Sequence, residues 1–212
     1  MEAYPELTLK HYKELRHHIR SGDILLCSGH STFSTLIQKA TGSVWSHVGF
    51  ILRLDAIDRI MVLESVESIG VRAIPLSNYV RDYNATGVGY PGRILLARHR
   101  DVKQENITKL SRQAVDFLGY PYGKEEIIRI AARIGLHSLG FSNQEMNVTP
   151  QREFICSEYA DACFQSIGVH IDHNPLGFVT PADFARHEKV DLICYIESEI
   201  EHAAGERIAE SA

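Results

Sequence analysis

The chain has 212 residues, 44% of them hydrophobic and 23% charged, with a formal net charge of −5. These are the proportions of one ordinary soluble domain long enough to build a full core. The acidic balance, with no cluster of Lys or Arg, argues against nucleic acid, and no apolar run is long enough to cross a bilayer.

The opening MEAYPELTLKHYKEL lacks the basic-then-apolar pattern of a secretory signal, so the expected compartment is the cytoplasm. An amphipathic helix is expected at the start, with Leu7, Leu15 and Ile19 among its apolar positions, broken by Ser21-Gly22-Asp23. Ile24-Leu25-Leu26 reads as a short buried strand. Ser31 to Ile37 suggests a second helix, closed by Thr41-Gly42-Ser43. Three strand-like runs follow: His47 to Leu54, Arg59 to Ser65, and Val71 to Ile74. Asp55–Asp58 makes the first turn between them and the Gly70 region the second. Arg93 to Arg98 is a further strand.

Helical periodicity returns over Glu105–Leu118 and again from about Glu125 to Leu139, with a polar loop expected over Gly140–Arg152. Cys156 to Ile167 reads as a helix stopped by Gly168. Thr180 followed by Pro181 signals another helix start, and Leu192–Ile196 a last strand. Residues 1–196 are thus read as one domain, with a helical and loop insertion over about 122–153 and a polar tail over 197–212. Helices, then a run of antiparallel strands, then mostly helices indicate an α+β fold.

The cysteines are Cys27, Cys156, Cys163 and Cys194, with no CxxC pair and no zinc-like spacing. Cys156 and Cys163, two helical turns apart, are separated by roughly 10 Å of rise and cannot bond each other. Positions 156, 159, 160, 163, 164 and 167 form one apolar stripe at helical spacing. Cys156 therefore sits in the first turn of a core helix, facing free N–H groups and the positive end of the helix dipole. Those N–H groups are also suited to stabilising an oxyanion. Taken alone, the position suits a small packing residue as well as a nucleophile. Cys163 lies mid-helix, where it gains nothing from the dipole, and Cys27 and Cys194 stand in apolar strand contexts; all three read as packing residues.

A thiolate nucleophile needs a histidine base and a group that fixes the histidine's tautomer. Of eleven histidines, His47 begins a strand directly after a glycine-containing loop, at a sheet edge where a helix N-terminus can be presented. A merely packed histidine fits that position equally well. If Leu54 pairs with Arg59, Gly49 faces Glu64, and His47 and Glu64 become diagonal neighbours on one face, roughly 7–8 Å apart at the backbone. Glu67 falls on the other face. Glu64 also interrupts the run Met61-Val62-Leu63-Glu64-Ser65, where a carboxylate needs a partner. His170-x-x-His173 with Asp172 has some metal-ligand character, but its Gly168 and Pro175 flanks mark a polar loop, and no metal is expected.

Gly22-Asp23-Ile24-Leu25, Ser46-His47-Val48-Gly49, Leu63-Glu64-Ser65 and Cys156-Ser157-Glu158 occur in that order. Together they resemble the permuted, YiiX/YebB-like branch of the NlpC-type papain-fold cysteine hydrolases. His precedes Cys here, as permutation of a papain-like chain requires. Phe117 to Gly123 and Thr180 to Asp183 are similar to the connecting and closing elements of that family, so the resemblance spans about residues 21–196.

The resemblance implies a circularly permuted papain-like α+β domain, a small antiparallel barrel or sheet packed on the nucleophile helix. It implies acyl transfer with Cys156 as nucleophile, His47 as base and Glu64 as orienter, and it requires no cofactor. Asp23, Trp45, Ser46, Tyr122 and Ser157 are the expected substrate contacts. The expected substrate is a small peptide or amino-acid conjugate, of cell-wall origin in one version. The alternatives are a lipid ester, in an acyltransferase, phospholipase or thioesterase, and an idle binding module that kept the fold. No stable membrane insertion is expected.

Overall fold

The structure, a computed structural model, describes residues 4–123, 153–174 and 178–198. The expected helix over 125–139, the loop over 140–152 and the tail from residue 199 lie outside the described residues.

Seven strands form one open sheet. In chain order they are β1 (Leu9–Lys10), β2 (Ile24–Cys27), β3 (His47–Leu54), β4 (Arg59–Val66), β5 (Gly70–Pro75), β6 (Ile94–His99) and β7 (Val190–Ile196). Their spatial order is β1-β7-β6-β2-β3-β4-β5, antiparallel throughout except for β1 against β7. The described helices are α1 (Tyr12–Leu15), α2 (Thr32–Thr41), α3 (Leu76–Arg81), α4 (Ile107–Asp116), α5 (Cys156–Gln165) and α6 (Pro181–Arg186). This is a mixed α+β fold, and of the expected "barrel or sheet" it is the sheet.

Both faces of the sheet are buried, and side-chain alternation divides the core into two layers. Ile24, Leu26, Val48, Phe50, Leu63 and Leu95 pack against Tyr159, Cys163 and Phe164 of α5. The ring centroids of Phe50 lie 5.7 Å from those of both Tyr159 and Phe164. Leu25, Cys27, Ile51, Val62 and Leu96 face the opposite way, against Leu15 of α1 and Leu76, Tyr79 and Val80 of α3. The helix α5 is therefore a core helix, as its apolar stripe requires.

Turn and cap chemistry fixes the element ends. Ser31 Oγ accepts from Ser34 N–H at the start of α2, and Gly42 closes that helix with φ +61, a conformation that favours glycine. Asp183 accepts from Thr180 N–H at 2.7 Å, completing the cap of α6 with Pro181 at its first position. The β3–β4 pairing is in the expected register, with Leu54 opposite Arg59 and Phe50 opposite Leu63.

The chain start departs from the long amphipathic helix. Leu15 and Ile19 are buried as expected, but Leu9–Lys10 forms a short edge strand on β7 and only Tyr12–Leu15 is helical. The parallel ladder with β7 takes up backbone groups that a helix would otherwise have used, overriding the local periodicity.

Candidate active site

The end of the sheet where β3 begins carries a cleft of about 220 Å³, lined by Cys156, His47, Ser46, Tyr122, Tyr83 and Glu67, among others. Its components come from both core layers. His47 and Glu64 belong to the face packed by α3, whereas Cys156 arrives on α5 from the opposite face. They meet because His47 is the first residue of its strand and α5 presents its N-terminus at that end.

Cys156 is the first residue of α5, buried at 5% exposure. Glu158 accepts from the N–H of Ile155 at 3.3 Å, and the preceding segment is anchored where Ser65 Oγ donates to the Phe154 carbonyl at 2.7 Å. The N–H groups of a helix's first turn have no acceptor within the helix, which leaves the Cys156 N–H available to an incoming oxygen.

His47 Nε2 lies 2.6 Å from Glu64 Oε2. With that nitrogen taken, Nδ1 is the one left to serve Cys156, which lines the same cleft. Burial disfavours the imidazolium, but the Cys156 charge and the hydrogen bonds to Cys156 and Glu64 outweigh it. Together they raise the His47 pKa to about 10.

Glu64 is fully buried, which would normally expel a carboxylate charge. Its partners reverse that. Oε2 accepts from His47 and from Tyr79 Oη at 2.9 Å. Oε1 accepts from Arg72 Nε at 2.8 Å and lies 2.7 Å from Arg72 Nη2. Burial pushes the Glu64 pKa up, and the bonds and charges of His47 and Arg72 more than offset it, holding the group below the usual carboxylate range. Three of the about four acceptor sites of the carboxylate are thereby used in hydrogen bonds.

Gly49 makes this approach possible. A Cβ at that position would fall 2.9 Å from the Leu63 carbonyl oxygen and 3.2 Å from Glu64 Cβ.

The expected substrate contacts divide. Ser46 and Tyr122 line the cleft, and Ser46 Oγ accepts from the Gly29 N–H at 2.7 Å. Asp23 does not reach the cleft. It lies at the far end of β2, roughly 13 Å along the strand from Cys27, buried and paired with Arg98 Nε at 2.6 Å. Trp45 is also a packing residue, fully buried among the core side chains with its ring 6.3 Å from that of Tyr195. Ser157 is buried in the first turn of α5 and does not line the cleft. Glu67 lies just past the end of β4, in the turn before β5, where it is exposed and contributes to the cleft rim, whereas the carboxylate bonded to His47 is that of Glu64.

Arg72 and Tyr79 are the partners that sequence reasoning missed. Arg72 stands directly opposite Glu64 in the β4–β5 ladder, so extending strand register past the Gly70 turn finds it. Tyr79 lies on α3, a short helix whose six residues leave too little periodicity to read.

Among the described residues no group of three or more His, Cys, Asp or Glu side chains is arranged to hold a metal ion, and no helix is long and apolar enough to cross a membrane.

A family model described as permuted papain-like amidase enzyme, YaeF/YiiX, C92 family, matches residues 18–193. The chain is similar in fold to the crystal structure of a protein described as the metalloprotein YiiX from Escherichia coli O157:H7. Identity is 20%, the TM-score is 0.58, and the match covers 83% of this chain and 97% of that one. No curated protein matches the chain.

Proposed function

The chain belongs to the permuted papain-like amidase family and is a cysteine hydrolase, and we propose that Cys156, His47 and Glu64 are its catalytic triad, acting on amide bonds of small peptides or amino-acid conjugates. The single observation that carries this reading is the cleft that brings Cys156 and His47 together, with His47 in turn 2.6 Å from the buried Glu64.

The reaction begins when His47 takes the Cys156 thiol proton on Nδ1, which frees the thiolate. The thiolate sulfur attacks the scissile carbonyl carbon, forming a C–S bond while the carbonyl π electrons move to oxygen. The Cys156 N–H donates to that oxyanion. His47 passes its proton from Nδ1 to the leaving nitrogen as the C–N bond breaks, which leaves a thioester on Cys156. Water then attacks the thioester, His47 takes its proton, and the acid is released with the Cys156–His47 pair restored. Glu64 keeps Nε2 protonated and the ring facing the sulfur throughout.

The character of the cleft favours an amide substrate over a lipid ester. Its walls carry Ser31, Ser34, Ser46, His30 and Glu67 beside aromatic rings, a mixture suited to a polar, hydrogen-bonding ligand. A larger, apolar cleft of about 480 Å³ lies against Tyr4, Leu7 and Tyr195 and includes neither Cys156 nor His47.

The test is intact-mass spectrometry after mixing the protein with a panel of short peptides and a panel of fatty-acyl esters. The expected adducts are peptide acyl groups mapped to Cys156 and absent in Cys156→Ala. Fatty-acyl adducts alone would transfer the site to lipid chemistry, and adducts that persist in Cys156→Ala would sink the triad.

A further inference from the structure

The Arg72 guanidinium touches three things at once. Its Nε donates to Glu64 Oε1, its Nη1 donates to Asn84 Oδ1 at 2.7 Å, and its Cζ lies 5.6 Å from the centroid of the Tyr83 ring. Tyr83 lines the cleft. Its ring is packed 4.8 Å from Tyr79 and 5.0 Å from Tyr90, centroid to centroid, and Tyr79 donates to the other oxygen of Glu64. Asn84 and Ala85 both hold left-handed backbone, at φ +55 and +59. That conformation is uncommon outside glycine, although asparagine tolerates it better than most residues. The wall that carries Tyr83 is thus a strained turn held by a side-chain bond from the same cation that neutralises the buried carboxylate.

We infer that Arg72 is a positioning residue that holds Glu64 charged and aimed at His47 and, through Asn84, locks the Tyr83 wall of the cleft to that same carboxylate. This rests on the proposed triad. A buried carboxylate facing only a histidine has a counter-charge that leaves whenever the histidine gives up its proton. Arg72 supplies one that does not leave, because a guanidinium stays charged at any pH a protein survives. Its Nε and Nη2 both approach the same oxygen, Oε1, at 2.8 and 2.7 Å, so Arg72 holds that oxygen in place and leaves Oε2 to His47 and Tyr79.

The titratable and charged groups around Glu64 are His47 on β3, Arg72 on β5, Tyr79 on α3, Cys27 on β2, Cys156 on α5, and Tyr83 and Tyr90 in the segment before β6. Among them Arg72 is the permanent cation. The sign of its effect follows: removing a fixed positive charge favours protonation of every group nearby.

The experiment measures kcat/KM against pH for the wild type and for Arg72→Met, Arg72→Lys and Asn84→Gly, using an amide substrate found in the adduct screen. In Arg72→Met both limbs of the profile should move to higher pH, because a fixed positive charge bonded to Glu64 is lost, with the maximum lowered at least several-fold. Arg72→Lys should return both limbs most of the way, because it keeps the charge, but not the lost rate, because it lacks the planar fork. Asn84→Gly suits the left-handed backbone, so it should leave the limbs in place and raise KM. Limbs that stay at wild-type positions in a folded Arg72→Met would overturn the inference. If that variant does not fold, limbs in Arg72→Lys displaced far upward from wild type would overturn it instead. Cys156→Ala is run in parallel, since activity retained there dismisses the triad itself and not merely the role of Arg72.

Discussion

Gly49 and Glu64 stand so close across the β3–β4 ladder that a methyl group on Gly49 would lie 3.2 Å from Glu64 Cβ and 2.9 Å from the Leu63 carbonyl oxygen. The glycine is required for closeness rather than for an unusual φ. It shares a face with His47, two residues earlier, and leaves room for the carboxylate to reach the imidazole.

Gly49→Ala is therefore expected to push Glu64 away from His47 while leaving Cys156 untouched. Misplacement on the scale of an ångström costs roughly 100-fold in rate, so kcat should fall by ~10- to 100-fold with a smaller change in KM. Steady-state kinetics beside a circular dichroism spectrum check this. An unchanged kcat would show that the Glu64 position does not matter to the chemistry.

The alkaline limb of the wild-type profile should lie near pH 10, where His47 loses its proton. Glu64→Gln removes one of the charges that sustain the imidazolium, so this limb should fall toward the ordinary histidine value of about 6.5. The maximal rate should drop by ~100-fold, less than for loss of Cys156 or His47. An alkaline limb unchanged in Glu64→Gln would place the control of His47 elsewhere.

Asp23 is a structural residue. Arg98 bonds it at 2.6 and 2.8 Å, and the Arg20 N–H donates to it at 2.7 Å. Asp23→Ala leaves Arg98 without its partner, and breaking a buried pair typically costs about 3–5 kcal/mol; Arg98 is itself partly exposed, so the lower end is expected. Urea denaturation should report that loss, while kcat/KM of the folded fraction stays within about twofold of wild type, since substituents this far from the chemistry are uncoupled from it. A large KM effect with little loss of stability would return Asp23 to the substrate.

His99 is buried at the end of β6, with Nδ1 accepting from the Asp101 N–H at 3.1 Å and the His187 ring 5.0 Å away, centroid to centroid. Burial first, and then the His187 charge, lower its pKa to about 4. The unfolded chain binds this proton more readily, near pH 6.5. The contribution of neutral His99 to stability is therefore fully present above about 6.5 and is lost as pH falls toward 4. Melting temperatures taken from pH 7.5 to 4.5 should decline less steeply in His99→Gln than in the wild type. Parallel declines would remove His99 from the acid sensitivity.

Much of the site was legible because strand alternation and helical spacing are strict. The pairing of Leu54 with Arg59 places Glu64 beside His47, and the stripe from Cys156 to Phe164 separates a first-turn thiol from the mid-helix Cys163. What escaped depends on tertiary partners. Asp23 and Trp45 lie beside informative motifs, but proximity in sequence does not say which end of a strand faces the cleft, or that an indole is buried against Tyr195. The parallel pairing of Leu9–Lys10 with Tyr195–Ile196 joins the two ends of the described chain, and no local pattern announces it. Arg72 needed one more turn of register, and Tyr79 a helix too short to show a period.

Iodoacetamide alkylation at pH 6, followed by peptide mapping, most directly tests the proposed activation of Cys156 by His47. An ordinary cysteine, with a pKa of about 8.5, has well under ~1% thiolate at that pH. Alkylation at Cys156 should exceed that of a free thiol by at least ~10-fold in the wild type, and His47→Ala should remove the advantage. A Cys156 that reacts no faster than free cysteine at pH 6, or equally fast with and without His47, would contradict the account.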